Sequence, residues 1–329
     1  MSRLGFVSRE TCEQVLDAAS IAQRVEEAFI WAGAGRVILS APHVLNMSYP
    51  VAGNRADGYG SFKVKGAILP ELGVAGFRLG GSRFHPDGML SAAPDATRLV
   101  MLVDIDSAAP LVLVDEYYNY RMRTAASVAV AAVKLAPKHP RLGIVGVGEI
   151  GKAVARMFAQ TLELDSVVVT SRRAETRRAF VEHFAGELDI TAVDSVDQLV
   201  ERSNVVVTIT TTTQPFFGTD QLRPGSLICA LGKYELEPDT YLAVDKLVVD
   251  DWEQTRSASD IRPLVEAGVL RPEHVYAESG EIVTGAKAGR TNAAETILLR
   301  SEGIGSHDIA LAHLAYSRAL QAGLVVELP

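Results

Sequence analysis

A strand, a glycine-rich turn and a helix follow one another in residues 142–158, which read LGIVGVGEIGKAVARMF. The glycines stand in the spacing G-x-G-x-x-G, between the end of the strand and the start of the helix. In this spacing the first glycine permits a tight turn, the second lets the backbone approach a pyrophosphate, and the third lets the helix pack on the strand. The N–H groups at the helix start favour anions. The stretch therefore predicts a dinucleotide-binding unit that contacts its cofactor through Gly146, Gly148, Glu149, Ile150 and Gly151.

Downstream of this turn the sequence alternates between apolar strands and helices. Strands are predicted at LGIVGV, DSVVVT, NVVVTI, SLICAL and DKLVVDD, with helices over residues 150–160, 174–184 and 196–202. Near-continuous apolar strands between helices indicate a parallel, doubly wound sheet. The fold class is therefore α/β, with a Rossmann-type domain predicted over residues 123–303. A glycine-rich turn in an unrelated α/β protein is the alternative for the motif alone.

The section that precedes the glycine turn has a different pattern. Short strands at GSFKVKGAIL, LGVAGFRLGG, RLVMLVDID and PLVLVD are separated by turns and not by helices, which predicts an antiparallel sheet or partial barrel. A helix over residues 120–136 then leads into the glycine strand, and a final helix, HDIALAHLAYSRALQAG, is placed to return to the front section. We therefore predict a strand-rich α+β domain built from residues 1–122 together with 304–329.

Composition limits the partners of a chain of 329 residues with a net charge of −8. Nucleic-acid backbones need clustered Lys and Arg, so no nucleic-acid partner is expected. The sequence lacks an apolar run long enough to cross a bilayer, and its start lacks a signal-peptide core, so we expect no membrane partner and a cytoplasmic location. The histidines show no metal-ligand spacing, and the two cysteines, Cys12 and Cys229, are expected to be reduced core residues.

The end of the second Rossmann strand predicts the cofactor. Domains that prefer NAD usually carry an acidic residue there, to hold the ribose hydroxyls. This chain has Ser171, Arg172 and Arg173 instead, and guanidinium groups suit a 2′-phosphate. We therefore expect NADP(H) to be favoured over NAD(H). Thr210 and Thr211 follow the third strand at its carboxyl end and are further cofactor candidates, although threonine also simply favours strands.

Several motifs, taken in order, carry a resemblance to one family. RTAA stands at residues 123–126, ahead of the glycine turn, and is followed by TTTTQPF, KLVVDDWEQ and HVYAESGEIVTG. In these motifs and in its layout the chain resembles the ornithine cyclodeaminase/mu-crystallin family. The later motifs are most similar to the branch that releases 2,3-diaminopropionate from N-(2-amino-2-carboxyethyl)glutamate, the N-(2-amino-2-carboxyethyl)glutamate dehydrogenases.

The resemblance implies a function for each domain. The front domain would bind substrate and form a homodimer, while hydride passes between NAD(P) and a carbon that bears an amino group. The family's carboxylate-binding arginine falls on Arg123, where a planar fork would hold an amino acid bidentately. An ordinary ion pair is the alternative for Arg123, and Arg121 is a less favoured substitute. Thr124 would approach the cofactor phosphates, and Ser301 matches a serine near the nicotinamide.

The chain departs from the family where a strand lysine is replaced by Arg78 in AGFRLGG. Arginine can anchor a carboxylate but cannot give up its proton, so Arg78 is a candidate for binding and not for base catalysis. Lys63 and Lys65 share a face of the preceding strand. Lys65 is the candidate replacement proton carrier, with a solvent-facing lysine on an edge strand as the alternative. His43 takes the place of another carboxylate-binding arginine, or is a structural histidine.

A second departure follows SLICALG. Cyclodeaminases carry an aspartate there, whereas this chain reads GKYELEPD and places Lys233 and Tyr234 at that point. Lys233 is therefore a catalytic candidate, and ornithine cyclisation is in doubt. Glu235 could reach the site, but Glu235 and Glu237 are expected to face solvent or cap the next turn. Asp250 and Asp251 are expected to cap the helix that begins near Trp252.

Together these features predict an NAD(P)-dependent amino-acid dehydrogenase or imine reductase that acts on a C–N bond of an opine-like, multi-carboxylate amino acid. Oxidation followed by hydrolysis would give a 2-oxo acid and an amine such as 2,3-diaminopropionate. A cyclic ketimine (pyrroline- or piperideine-2-carboxylate) reductase or an ornithine cyclodeaminase is the alternative enzyme. A mu-crystallin-like, NADP-dependent protein that binds a small hydrophobic ligand is the alternative of another class, and basic residues in the front domain weigh against it.

Overall fold

The computed structural model describes residues 4–50, 59–84 and 98–329. The chain divides into two compact units. The first unit comprises Met1–Arg123 with Ile304–Pro329, and the second comprises Thr124–Gly303.

The first unit is built on a mixed, mostly antiparallel sheet. Its strands run in the order β16-β1-β7-β6-β5-β4-β2, with β3 also paired to β4, and β1 and β7 form the parallel pair. The elements of this unit are β1 (Gly5–Val7), α1 (Arg9–Val15), α2 (Ala18–Gly33), β2 (Ile38–Leu39), β3 (Leu45–Pro50), β4 (Tyr59–Leu69), β5 (Val74–Phe84), β6 (Arg98–Asp104), β7 (Pro110–Asp115), α10 (Gly305–Gln321) and β16 (Val326–Glu327). The predicted strand-rich α+β domain is confirmed.

The two faces of this sheet differ in burial. Along β4 and β5, alternate residues such as Ala67, Leu69 and Val74 are buried, and α10 packs against both strands. The opposite face of the sheet includes Met47 on β3 and Phe77 on β5, whose side chains are exposed. Because side chains alternate along a strand, one face forms the core of the unit and the other presents apolar side chains.

The helix that carries the RTAA motif is α3 (Tyr117–Leu135). Its start was predicted at Tyr120, but it begins earlier because the Asp115 carboxylate accepts a hydrogen bond from the Tyr117 backbone N–H at 2.8 Å. Arg123 therefore lies within the helix and not at its start.

The second unit is an all-parallel sheet with helices between its strands. Its strand order is β10-β9-β8-β11-β12-β15-β13-β14. The elements are β8 (Arg141–Val145), α4 (Glu149–Thr161), β9 (Ser166–Thr170), α5 (Ala174–His183), β10 (Ile190–Ala192), α6 (Val196–Arg202), β11 (Val205–Thr208), β12 (Leu227–Ala230), β13 (Lys246–Val249), α7 (Trp252–Thr255), α8 (Arg262–Glu266), β14 (Val275–Glu278), α9 (Ser279–Thr284) and β15 (Ile297–Arg300). The predicted Rossmann-type fold is confirmed. Within the described ranges, every helix is too short or too polar to cross a membrane.

Candidate functional site

The glycine turn between β8 and α4 has the geometry of a dinucleotide cradle. Gly146 has a φ of 113°, and a Cβ there would collide with the Ile209 carbonyl, while a Cβ on Gly151 would collide with the Gly146 carbonyl. These two glycines are therefore required by the turn itself. At Gly148 a Cβ would meet no protein atom within 4 Å. The missing side chain of Gly148 thus leaves open space at the start of α4, where a pyrophosphate would be received.

The segment after β9 exposes the basic side chains that the sequence assigns to the cofactor. The Ser171 hydroxyl shares a hydrogen bond with the Thr176 hydroxyl at 2.8 Å. Arg172 is exposed, and Arg173 pairs with Glu175 at 3.6 Å while both side chains stay largely in solvent. Exposed ion pairs are weak, so both guanidinium groups remain accessible to a ligand.

Glu235 is buried, and the expectation that it would face solvent was wrong. Its carboxylate accepts hydrogen bonds from the Thr208 hydroxyl at 2.7 Å, the Thr210 hydroxyl at 2.8 Å and the Gly232 backbone N–H at 2.9 Å. The Thr210 backbone N–H donates as well. Glu235 therefore joins the segments that follow β11 and β12, where doubly wound sheets bind ligands. The neighbouring cofactor candidate, Thr211, is exposed.

Ser301 and Lys233 both have partners inside the second unit. The Ser301 hydroxyl donates to Asp250 at 3.0 Å, and the Glu302 backbone N–H donates to the same oxygen at 2.8 Å. Asp250 therefore fixes the Ser301 segment and does not cap α7, which Asp251 caps as predicted. The Lys233 ammonium lies 3.4 Å from the Ser259 hydroxyl and 3.9 Å from a Glu302 oxygen.

The first unit contains a buried group of charged side chains, which we call the cation cluster: Lys65, Arg78 and Arg123 with Glu116 and Asp308. Lys65 and Arg78 lie directly opposite each other on β4 and β5. Glu116 precedes α3, which carries Arg123, and Asp308 lies in the first turn of α10. Each of these side chains is at most 4% exposed.

Each arginine of the cation cluster is held by an internal carboxylate. The Arg78 Nε lies 2.6 Å from Glu116 Oε2, and the Arg123 Nε lies 2.5 Å from Asp308 Oδ1. The two carboxyl groups also influence each other's protonation. Burial raises the pKa of Glu116, whereas Arg123 and Arg78 lower the pKa of Asp308 against the effect of burial. Of the two acids, Glu116 therefore binds a proton more readily than Asp308 does.

Lys65 is the titratable base of the cluster. Burial, together with the positive charges of Arg123 and Arg78 and against the opposing charge of Asp308, lowers the pKa of its ammonium group to about 7. The alternative of a solvent-facing edge lysine is wrong, because Lys65 is 4% exposed and β4 is paired on both sides. A lysine that titrates near pH 7 is suited to general acid–base chemistry.

Several members of this site were missed by sequence analysis. Glu116 and Asp308 carry charges inside the apolar stretches PLVLVDEYY and GIGSHDIALA, which was a usable signal. The ring of Tyr120 lies 5.1 Å from the Arg78 guanidinium and 5.2 Å from that of Arg123. His307 is buried edge-on to Phe29, and burial lowers its pKa to about 3.

Two other candidates lie elsewhere in the first unit. Arg121, the possible substitute for Arg123, stacks on Tyr117 with its guanidinium carbon 4.5 Å from the ring centroid. His43 is half-buried in the bend before β3 and stays a prediction. Within residues 4–50, 59–84 and 98–329, no cluster of His, Cys, Asp and Glu could hold a metal ion.

Comparison with known proteins identifies the family. The model of the ornithine cyclodeaminase/mu-crystallin family matches residues 6–323. The chain belongs to the ornithine cyclodeaminase/mu-crystallin family. It is 31% identical to the N-((2S)-2-amino-2-carboxyethyl)-L-glutamate dehydrogenase of Staphylococcus aureus over 260 residues, which cover 77% of each chain. It is 29% identical to a Delta(1)-pyrroline-2-carboxylate reductase of Bacillus cereus over 69% of this chain and 72% of that one.

A solved structure has the same fold. The Delta(1)-pyrroline-2-carboxylate reductase of Thermococcus litoralis, solved in complex with NADH and L-proline, aligns with a TM-score of 0.87 at 25% identity, over 99% of this chain and 100% of that one. The predicted family is confirmed. So is the prediction of an NAD(P)-dependent oxidoreductase that acts on carbon–nitrogen groups of amino acids.

Proposed function

We propose that this family member interconverts a secondary amine and an imine in an opine-like amino acid that carries more than one carboxylate. The observation that carries the proposal is the cation cluster, which buries Lys65 together with Arg78 and Arg123. Cations are retained in an apolar interior when an anion matches them. Here three basic side chains stand against two acidic ones, so positive charge remains for a substrate to neutralise.

Arg78 and Arg123 are the proposed carboxylate anchors. Their Nε atoms are turned to Glu116 and Asp308, so a substrate carboxylate would be bound by the terminal nitrogens of each fork. The internal acids would hold each guanidinium plane in place before substrate arrives. Such preorganisation reduces the entropic cost of orienting a substrate for hydride transfer.

Lys65 is the proposed proton carrier. It would take the role of the family's strand lysine, which Arg78 replaces and cannot fill because arginine does not give up its proton. In the oxidative direction the amine carbon loses a hydride, the amine nitrogen loses a proton to neutral Lys65, and a C=N bond forms. Water then adds to the imine carbon, and the C–N bond breaks to give a 2-oxo acid and a primary amine. In the reductive direction the Lys65 ammonium returns the proton to nitrogen. His43 and Lys233 stay as secondary candidates for substrate binding and proton transfer.

A nicotinamide cofactor bound to the second unit would accept or donate the hydride. Gly146, Gly148 and Gly151 fit its pyrophosphate, and the proposed contacts extend to Thr124, Glu149, Ile150, Ser171, Thr210, Thr211 and Ser301. The exposed guanidinium groups of Arg172 and Arg173 support a preference for NADP(H).

The alternative enzyme is a cyclic ketimine reductase, which the names of two relatives favour. Its substrates carry one carboxylate and need one anchoring fork, whereas this cluster offers Arg78 and Arg123 together. Ornithine cyclodeamination is disfavoured because Lys233 and Tyr234 stand where those enzymes carry an aspartate. A protein that binds only a hydrophobic ligand would leave the excess positive charge of the cation cluster without a matching anion.

We further propose that the protein is a homodimer that pairs through the apolar face of the first unit's sheet. Leu45, Met47, Tyr49 and Phe77 expose large apolar side chains on that face. Apolar patches of this kind commonly mark protein–protein contacts. Light scattering of the wild-type protein and of Phe77→Glu tests this, and a wild-type monomer would refute it.

The function is tested by following reduced-nicotinamide absorbance with N-(2-amino-2-carboxyethyl)glutamate and either NADP⁺ or NAD⁺. We expect reduced cofactor to form together with 2-oxoglutarate and 2,3-diaminopropionate, identified by mass. The reverse assay uses pyrroline-2-carboxylate and reduced cofactor. Turnover of the cyclic imine alone would replace the opine proposal with the alternative.

The proposed role of Arg123 has its own test. Arg123→Ala should raise KM and lower kcat together, because the lost fork both binds and orients the substrate. The matched control is Arg121→Ala on the same helix, whose side chain stacks on Tyr117. Unchanged kinetics in Arg123→Ala would remove this residue from the site.

A further inference from the structure

We infer that Arg98 binds a third carboxylate of the substrate, remote from the reacting carbon, and that the enzyme therefore selects tricarboxylate amino acids. This inference deepens the proposed function and rests on it. Arg98 is the first residue of β6, and its side chain is half-buried.

The sheet register places Arg98 beside the fork of Arg78. Arg98 pairs with Gly80, and Gly80 in turn pairs with Lys63 on β4. Arg78 and Gly80 are two residues apart on β5, so their side-chain positions share a face of the sheet. Lys63, Lys65, Arg78 and Arg98 therefore all lie on the face that carries the cation cluster.

Gly80 leaves room for the Arg78 guanidinium on the side of β5 that faces Arg98. A Cβ at Gly80 would lie 2.9 Å from Arg78 Nη2 and 3.3 Å from Arg78 Nη1. The terminal nitrogens of Arg78 therefore occupy the space above Gly80, the residue directly opposite Arg98. An ordinary side chain at Gly80 would push the fork away from that space.

Tyr120 holds Arg98 in the same group. The Arg98 guanidinium carbon lies 4.1 Å from the Tyr120 ring centroid, and the same ring is 5.1 Å from that of Arg78 and 5.2 Å from that of Arg123. A guanidinium stacked by its face on an aromatic ring keeps its in-plane N–H groups available for a carboxylate. Arg98 Nε is buried and makes no hydrogen bond with the described part of the chain.

The pairing of charges on this face favours the binding of a third substrate carboxylate at Arg98. Arg78 and Arg123 each have an internal carboxylate partner, whereas the ion pairs among the described residues leave Arg98 without one. Lys65 is on β4 and Arg98 is on β6, so the two residues lie on opposite sides of Arg78 on β5. Arg98 is opposite Gly80, two residues along β5 from Arg78. A carboxylate bound there would be separated from the atom that exchanges its proton with Lys65. That separation fits the γ-carboxylate of an N-substituted glutamate.

The experiment compares N-(2-amino-2-carboxyethyl)glutamate with its γ-carboxamide analogue, in which one carboxylate is neutral. We expect the wild-type protein to prefer the tricarboxylate in kcat/KM by roughly 10- to 100-fold, the range for a charge-assisted hydrogen-bonded pair. Arg98→Gln should lose most of that preference by lowering kcat/KM for the tricarboxylate alone. Arg98→Lys, which keeps the charge without the fork, should fall between the two.

Arg9→Gln is the matched control, because Arg9 also lies 4.1 Å from a tyrosine ring centroid, that of Tyr117, but pairs with Asp115. It should keep the preference. An equal loss on both substrates in Arg98→Gln would mean a structural role and would overturn the inference.

A binding measurement separates this inference from the proposed reaction. The rise in Tm caused by propane-1,2,3-tricarboxylate is compared with that caused by glutarate, in the wild-type protein and in Arg98→Gln. If no amine is turned over, a tricarboxylate preference that disappears in Arg98→Gln still supports the anion site while the reaction fails. Equal shifts with both anions in the wild-type protein would refute the site.

Discussion

Lys65 and Arg78 face each other across the β4–β5 ladder, and both are buried on the same face of the sheet. The family resemblance places a lysine at position 78, so in this chain the lysine stands on the neighbouring strand instead. Directly opposite residues have Cβ atoms about 5 Å apart, which lets side chains from either strand reach one region. The proposed proton carrier, Lys65, could therefore reach the same region as a lysine at position 78.

The pH dependence of turnover should follow the ionisation of Lys65. Its pKa is lowered to about 7 by burial, so the amine is neutral above that pH and charged below it. Amine oxidation requires the neutral form, and kcat/KM for oxidation should rise through about pH 7, while imine reduction should fall. Lys65→Met should remove this inflection and lower kcat by about 10²- to 10⁴-fold.

Lys63→Met is the control for Lys65→Met. Lys63 lies two residues from Lys65 on the same face of β4, and its side chain is only partly buried. Its pH profile should keep the inflection. An inflection that persists in Lys65→Met would instead assign the proton to Glu116, whose pKa is raised by burial.

Exchanging the two strand residues should restore activity that either single change removes. Lys65→Arg leaves the site without a titratable base, and Arg78→Lys weakens the hydrogen-bonded pair with Glu116. The double variant Lys65→Arg with Arg78→Lys again has one lysine and one fork on the same face. We expect its kcat to exceed that of Lys65→Arg by about tenfold or more.

A double variant no more active than Lys65→Arg would show that strand position matters and that the exchange is not equivalent. Urea unfolding of all three variants distinguishes this result from a loss of folding. Breaking a buried ion pair costs about 3–5 kcal/mol, so the stability of each single variant has to be known before its kcat is interpreted.

The cofactor preference should depend on the exposed arginines that follow β9. Changing Arg172 and Arg173 together to Gln should raise the Kd for NADP⁺ about 10-fold or more and leave the Kd for NAD⁺ nearly unchanged, because only NADP⁺ carries the 2′-phosphate. Arg178→Gln, an exposed arginine on α5, is the control. Equal weakening of both cofactors, measured by fluorescence titration, would contradict the assignment.

The sequence predicted the parts of this protein that depend on local pattern. The glycine spacing, the apolar strands and the alternation that places Lys63 and Lys65 on one face all follow from residues close together in the chain. Glu116 and Asp308 could not be paired in advance, because their contact depends on how α10 returns to the sheet. The sequence analysis also missed Arg98. Its position opposite Gly80 depends on the register between β5 and β6, which exists only in the assembled sheet.

Glu235 shows the same limit in the second unit. Read along GKYELEPD, it is one of several charged residues in a loop, and nothing local distinguishes it from Glu237. Only the approach of the segment after β11 gives it the hydroxyl and backbone donors that make its burial favourable. Buried carboxylates are tolerated where several donors satisfy them.

Glu235 should therefore be needed for both stability and cofactor binding. Glu235→Gln presents an amide NH₂ to donors that now meet a carboxylate, which should lower the free energy of unfolding by about 2–4 kcal/mol. The freed Thr210 segment should also raise the Kd of the nicotinamide cofactor. Glu237→Gln, at an exposed position two residues away, should change stability by about 0.5 kcal/mol or less in urea unfolding. If both variants unfold at the same urea concentration as the wild-type protein, the hydrogen bonds of Glu235 do not hold the two segments together.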